Sequence, residues 1–201
     1  MITQLDAVNY CLSILGSTPV GDLNDRHPDA DICLQRVVDA TKTVQKDGLW
    51  FNKELCWTLT PDATTKEIVL PTNTLKVLGI YGDFVIQRGT KLYDTINNTY
   101  QFEATVDVDL VVELAWDELP FSVQELAKFK AAQAVCEIDL EDHIKAAGEK
   151  DKATEAEVTI KKEDMEITRR SALYSKKAYV TRSGVRPARM GTGINPMKPG
   201  G

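Results

Sequence analysis

Histidine is scarce in this 201-residue chain: there are two, His27 and His143, far apart in the sequence. A zinc site needs three or four donors, so each is read as a solvated or hydrogen-bonded side chain and not as a ligand. The cysteines, Cys11, Cys33, Cys56 and Cys136, lie 20 or more positions apart and form no CxxC pair. Free, buried thiols of a reducing compartment are therefore expected, and no disulfide frame. No apolar run approaches the roughly 20 residues that span a bilayer, so no membrane partner is expected. The opening, Met1-Ile-Thr-Gln-Leu-Asp6, lacks a basic stretch leading into an apolar one, so no signal peptide is expected, and synthesis in the cytoplasm is. A GxxxxGKS or GxxxxGKT phosphate loop is missing, and Gly191-Thr-Gly193 lies in a Pro-rich end without a strand and helix around it. A GxSxG nucleophile elbow is missing too. No cofactor and no enzymatic activity are expected.

Acid is absent from one end. The last carboxylate is Glu166, and beyond it come Arg169, Arg170, Lys176, Lys177, Arg182, Arg186, Arg189 and Lys198. Removing these eight bases from the 24 leaves 16 against 30 acids, so residues 1–166 carry -14 and the remainder +8. An acidic body with a basic arm seeks an acidic surface through the arm, whether nucleic acid, partner protein or a neighbouring copy. Only Tyr174 and Tyr179 are interleaved with those bases, too few aromatics for a single-strand stacking platform. A solvated, floppy end and an arm that folds on a neighbour by burying Tyr179, Val185 and Met190 both remain open.

What is present reads as helices around a sheet. Ile2, Leu5, Val8, Leu12 and Leu15 recur at helical steps over 3–16, Thr3 with Asp6 suits a cap, and Gly16 with Pro19 ends the run. A second helix is predicted from about 29 to 47, with Cys33, Val37, Ala40 and Val44 inward and Gly48 in the left-handed position after it. From Trp50 to Trp116 the period becomes two. Short strands are predicted over 53–60, 66–70, 75–81, 84–88, 91–94 and 99–103, separated by turns such as Pro61-Asp62 and Gly89-Thr90. The last strand is predicted to run through Asp117, setting Val106, Val108, Leu110, Val112, Leu114 and Trp116 on one face against Asp107, Asp109, Glu113 and Asp117 on the other. After Pro120 the helical period returns. Val123, Leu126, Ala134, Ile138 and Ile144 step along one predicted helix that Gly148 breaks, and a charged helix over 149–178 follows with Ala153, Ala156, Ile160, Ile167 and Leu173 as its thin apolar stripe. The expected architecture is α+β: a four-helix bundle from 1–49 and 118–178, an inserted antiparallel β-domain over 50–117, and a flexible basic arm over 179–201.

The carboxylate row is the one arrangement from which catalysis could be argued, because glycoside hydrolysis needs only two acids at the right separation. A catalytic acid also needs partial burial among apolar groups, whereas an outer strand face reads as solvated surface or an electronegative lining. Three classes compete: a structural component, a structural component that also hydrolyses polysaccharide or peptidoglycan, and a soluble DNA-binding regulator, which the acidic body disfavours.

Gly48-Leu-Trp-Phe-Asn52, a helix ending in glycine with a Trp50-Phe51-Asn52 entry to a strand, resembles the tail tubular protein A family, the adaptors of short-tailed phages. Ala7-Val-Asn-Tyr-Cys-Leu-Ser-Ile-Leu-Gly16-Ser-Thr-Pro19-Val20 is similar to that family's opening helix. Leu70-Pro-Thr-Asn-Thr-Leu-Lys-Val77 and Gln87-Arg-Gly-Thr-Lys-Leu-Tyr-Asp94 resemble its β-domain, and Glu118-Leu-Pro-Phe-Ser122 the entry to its third helix. The resemblance runs from about residue 2 to about 180 and rests on the joint order of these stretches. It implies a ring, expected to be a dodecamer, between the capsid portal protein and a nozzle of the tail tubular protein B type, within a virion tail assembled in the host cytoplasm. Tail fibres are a further possible partner. It also implies that the C-terminal segment grips the portal, which would give the basic residues their partner. Passing DNA should not be held, since Lys and Arg contacts to phosphate are what bind it. The Asp107–Asp117 row or the acidic stretch 137–142 is expected to face the lumen or an interface.

Overall fold

Thr3 starts the first helix, α1 (Gln4–Leu15), by a reciprocal cap: its hydroxyl accepts from the Asp6 N–H at 3.0 Å, and the Asp6 carboxylate accepts from the Thr3 N–H at 2.9 Å. Gly16, at φ +76°, closes it in the left-handed conformation. The second helix, α2 (Pro28–Gln45), opens on a proline, whose fixed φ and missing N–H suit a first turn. Its buried stripe is Ala30, Cys33, Val37, Ala40, Thr41, Val44 and Gln45. The computed structural model describes residues 1–25, 27–79 and 84–174.

Five strands follow: β1 (Lys53–Leu59), β2 (Thr74–Gly79), β3 (Val85–Arg88), β4 (Lys91–Asp94) and β5 (Val106–Val112). Strands β1, β5 and β2 form an antiparallel sheet in that order, and β3 with β4 forms a hairpin. The expected strands at 66–70 and 99–103 do not form. They make only isolated bridges, Glu67 to Gln101, Val69 to Lys91 and Asp94 to Thr99. Lys66 at φ +60° and Pro71 interrupt the first segment, so its hydrogen bonds are made singly, to Thr90 and Leu92 of the hairpin and to Asp62 and Phe102.

The last strand is shorter than its alternation predicts. It ends at Val112 because the next residues bond elsewhere. The Glu113 N–H donates to the Asn73 carbonyl, and the Leu114 N–H donates to the buried Gln45 side chain. Trp116 and Asp117 then lie in a short 3-10 turn, Trp116–Glu118. Val111, which alternation places on the outer face, is buried, since the backbone of Gly48 lies against it.

Phe121–Ala134 forms α3, continued by a π-helical turn over Val135–Asp139, and α4 runs from His143 to Tyr174. The break between the last two helices therefore falls at 140–142 and not at Gly148, which sits inside α4 with open space about it. Asp142 explains the position: its carboxylate accepts from the Ile144 and Lys145 N–H groups at 3.1 and 3.0 Å, starting a new helix there. The π turn adds a residue to the helical period. Val135 and Cys136 consequently face the core, while Ile138 is 59% exposed and Ile144 88%, both expected inside.

Residues 1–164 cluster as one unit; the chain from Met165 on forms a second, of which Met165–Tyr174 is described as helix. The first unit mixes helix and sheet as an α+β fold. One apolar cluster gathers Leu12 of α1, Val37 of α2, Leu126 of α3 and Ile160 of α4. The other is formed by the sheet and hairpin, with Ile68, Leu92, Val108 and Leu110 at its centre. Leu114 packs against both.

Candidate functional site

Trp50-Phe51-Asn52 sits where α2 hands the chain to β1. The two aromatic rings meet edge to face at 5.4 Å and 81°, and both pack half-buried on the helical cluster. Asn52 is 1% exposed. Its side-chain oxygen accepts from the Leu49 N–H at 2.9 Å, and its amide donates to the carbonyls of Gln45 and Val112 at 2.8 and 3.0 Å. Gln45 acts likewise on Leu114, accepting from its N–H at 2.7 Å and donating to its carbonyl at 3.1 Å. Two buried amides thus replace sheet hydrogen bonds at the joint between the clusters, a fully satisfied polar network of the kind that specifies one arrangement. Composition pointed to Asn52 only through its motif, and Gln45 carried no signal beyond its place at the end of a helix.

A similar clamp holds the N-terminus. The Ile2 N–H donates to Gln124, the Gln124 amide donates to the Trp116 carbonyl, and the Trp116 indole N–H donates to the Ile2 carbonyl at 2.8 Å. Between α1 and α4, the Tyr10 hydroxyl donates to Glu149 and accepts from Lys152, with Lys128 over the neighbouring Phe129 ring. Burial pushes the Tyr10 hydroxyl above its ordinary value, so it stays neutral.

The four carboxylates of the predicted row do not share a face. Only Asp107 and Asp109 lie in β5. Asp107 accepts from the Thr58 hydroxyl at 2.6 Å; Asp109 accepts from the Cys56 N–H at 3.0 Å and lies 3.9 Å from Lys53. Glu113 has left the sheet and pairs with Lys42 at 3.7 Å, and Asp117 is exposed in the 3-10 turn. In the stretch 137–142, Asp139 makes a charge-assisted pair with Arg36 at 2.9 Å, Glu137 accepts from Gln133, and Asp142 caps α4.

Of the basic arm, Arg169 is exposed on α4, and Arg170 is described only as helical backbone. Lys176, Lys177, Arg182, Arg186 and Arg189 lie outside the described residues. Three thiols are buried, Cys11, Cys33 and Cys136. Its hydrogen bond with Cys33, and then burial, hold the Cys11 thiol far above the ordinary range, which makes it inert. Cys56 departs from expectation. It is exposed at φ +54° in a bulge where the β1–β5 register shifts between Glu54 and Trp57.

Among the described residues no group of three or more His, Cys, Asp or Glu is placed to hold a metal ion, and no helix is long and apolar enough to cross a membrane. A groove of about 400 Å³ lies between α2 and α3 with its π turn, and a hollow of about 360 Å³ lies beside the β3–β4 hairpin. Neither is lined by Asp107 or Asp109.

Comparison with known proteins gives two findings. Residues 5–177 match the family described as tail tubular protein. Over 134 residues, 65% of this chain and 70% of the relative, the sequence is 29% identical to tail tubular protein A of Klebsiella phage KP34.

Proposed function

The chain belongs to the tail tubular protein family, structural components of phage tails, and on that premise we propose that it is the adaptor subunit joining the capsid portal to the tail nozzle. In this reading copies close into a ring, taken as a dodecamer, that forms part of the DNA ejection conduit and catalyses nothing. The observation that carries it is the large apolar side chains a single copy leaves in solvent on both halves: Leu55 and Trp57 on the open-edge strand β1, Phe84 and Ile96 about the hairpin, and Ile138 and Ile144 beside the helix break. Such surfaces suit contacts with other copies and tail proteins.

The division of labour follows the charge. The helical segments 1–49 and 118–178 form the frame, the β unit 50–117 contacts neighbours and the nozzle protein, and the basic residues from Arg169 to Arg189 reach the portal. The -14 of residues 1–166 leaves passing DNA without a phosphate-binding wall. Polysaccharide hydrolysis draws no support from Asp107 and Asp109, whose carboxylates are engaged by Thr58, the Cys56 N–H and Lys53.

Co-purification with the portal tests the arm. The full chain is expected to bind portal, and a chain truncated after Tyr179 is expected to fold but not bind. Portal binding by that truncation at full strength would reject the arm's role.

A further inference from the structure

The β3–β4 hairpin is tight: Arg88 pairs with Lys91 across the Gly89-Thr90 turn, with Gly89 at φ +63°. Ile86 and Arg88, two residues apart on β3, share one face with their cross-strand partners Tyr93 and Lys91. Ile86 is exposed, and Val69, bridged to Lys91, is 62% exposed beside it. The Arg88 guanidinium lies 3.5 Å from the centre of the Tyr93 ring, which meets Tyr100 edge to face at 4.9 Å. Stacking fixes the guanidinium plane and leaves its N–H groups pointing away from the ring. Lys91 is neutralised by Glu67 at 2.6 Å, whereas Arg88 makes no ion pair among the described residues. The hairpin therefore presents a rigid aliphatic and guanidinium face with one positive charge unspent.

The groove between α2 and α3 has the opposite character. Ala40, Ala134 and Ile138 supply its apolar surface, and Ile138 was turned outward by the π turn. Of its two cations, Arg36 pairs with Asp139 at 2.9 Å, and Lys130 lies 3.8 Å from Glu157, a carboxylate that Lys161 holds more closely at 2.7 Å. Its carboxylates Asp39 and Glu137 accept hydrogen bonds from the neutral amides of Gln35 and Gln133 and make no ion pair among the described residues, with Arg36 acting on Asp39 at longer range. A concave, partly apolar surface with two acids outside any ion pair thus complements an exposed hairpin face that carries Ile86 and one unpaired guanidinium, and both belong to one chain. Different patches that fit each other make a head-to-tail contact, which closes into a ring when its rotation allows.

We propose that the β3–β4 hairpin of one copy, through Ile86 and Arg88, docks in the α2–α3 groove of the next, against Ile138, Asp39 and Glu137. This rests on the ring reading above and identifies the surfaces that join its subunits. Buried Arg is among the side chains that dominate such contacts.

Charge exchange in the full chain tests it, read as the fraction of subunits in rings by native mass spectrometry, with portal present where rings need it. Arg88→Glu alone, and Asp39→Lys with Glu137→Arg alone, should each lower that fraction about tenfold, because like charges then face each other. All three changes together should restore it to within about threefold, since the exchanged charges attract again. These side chains are at the surface, so unchanged circular dichroism is expected. As an independent measurement, Ile86→Cys with Ile138→Cys, in a Cys56→Ser background, should yield a ladder of covalent oligomers on oxidation.

Rings that survive each single exchange, or no ladder from assembled rings, would overturn this inference and leave the ring intact as a reading. Single exchanges that break rings, with a combination that fails to restore them, would overturn it equally. Intact rings with altered DNA transit in Arg88→Glu would assign the hairpin to DNA instead. Wild-type chains that never form rings, with or without portal, would overturn both readings at once.

Discussion

Replacing Asn52 by leucine keeps the branched outline of the side chain, in a somewhat larger volume, and removes every hydrogen bond that the Asn52 side chain makes. The Leu49 N–H loses its acceptor, and the carbonyls of Gln45 and Val112 each lose a donor. The Gln45 carbonyl keeps a second donor in the Gly48 N–H at 3.2 Å, so the amide of Leu49 is the severe loss. A buried orphaned donor costs about 1–3 kcal/mol and each of the two lost carbonyl bonds about 0.5–1.5 kcal/mol, giving about 2–6 kcal/mol in all. For a chain of this size that lowers the melting temperature by about 10 °C. The control is Asn52→Asp, which retains the bond from Leu49 but turns an anion toward two carbonyls. Burial and the facing acceptors raise the folded-state pKa of that aspartate above its unfolded value of about 3.9. Its penalty is therefore full above the folded pKa and shrinks as pH falls through it, so its melting temperature should converge on that of the wild type in acid. Thermal and urea denaturation from neutral pH to about pH 4 reads both effects. A leucine variant within about 1 kcal/mol of wild type would refute the claim that this amide holds the joint.

Gly148→Ala should stabilise the chain by about 0.5–1 kcal/mol in the same assay, since the residue is inside a helix with nothing near the added methyl group; destabilisation would argue that the helix breaks there after all. Gly48→Ala should cost about 2 kcal/mol or more, because φ is +74° and the new Cβ would sit 2.6 Å from Val111 Cγ2. Adding Val111→Ala should recover part of that loss, and strictly additive costs would disprove the contact. Acid should destabilise the fold in a defined window. Backbone hydrogen bonds from Thr65, Asn97 and Lys145 hold Asp62, Asp94 and Asp142 below the ordinary carboxylate range, and Lys161 does the same for Glu157. Their contribution is complete above the unfolded values of about 4 and is lost as pH falls through the depressed ones; urea midpoints that stay flat from pH 5 to about pH 2 would contradict it.

Helices were the readily legible part of the fold. Thr3, Asp6 and Gly16 bound α1 because caps are local chemistry, read without knowing what the helix packs on. The break at 140–142 was not legible, since Gly148 is the residue with the lowest helix propensity in that region, while the side chain that restarts the helix, Asp142, resembles its acidic neighbours. Nor could the pattern announce a π turn, which put Ile138 outside although its spacing suited the core. The sheet misled differently. Alternation continues past Val112, but pairing stops there because Gln45 takes over Leu114, a contact 69 residues away in sequence. Among the candidate residues, Trp50, Phe51 and Asn52 were visible through their motif. Arg88 was hidden in an ordinary hairpin, and only the stacked Tyr93 ring and the lack of an ion pair among the described residues give it meaning.

Electron microscopy of the purified full chain mixed with its portal protein tests the adaptor account most directly. Closed rings of this chain seated on the portal, with an open central channel, are the expected result. Single copies beside bare portals, under conditions where the rest of the tail assembles, would contradict it.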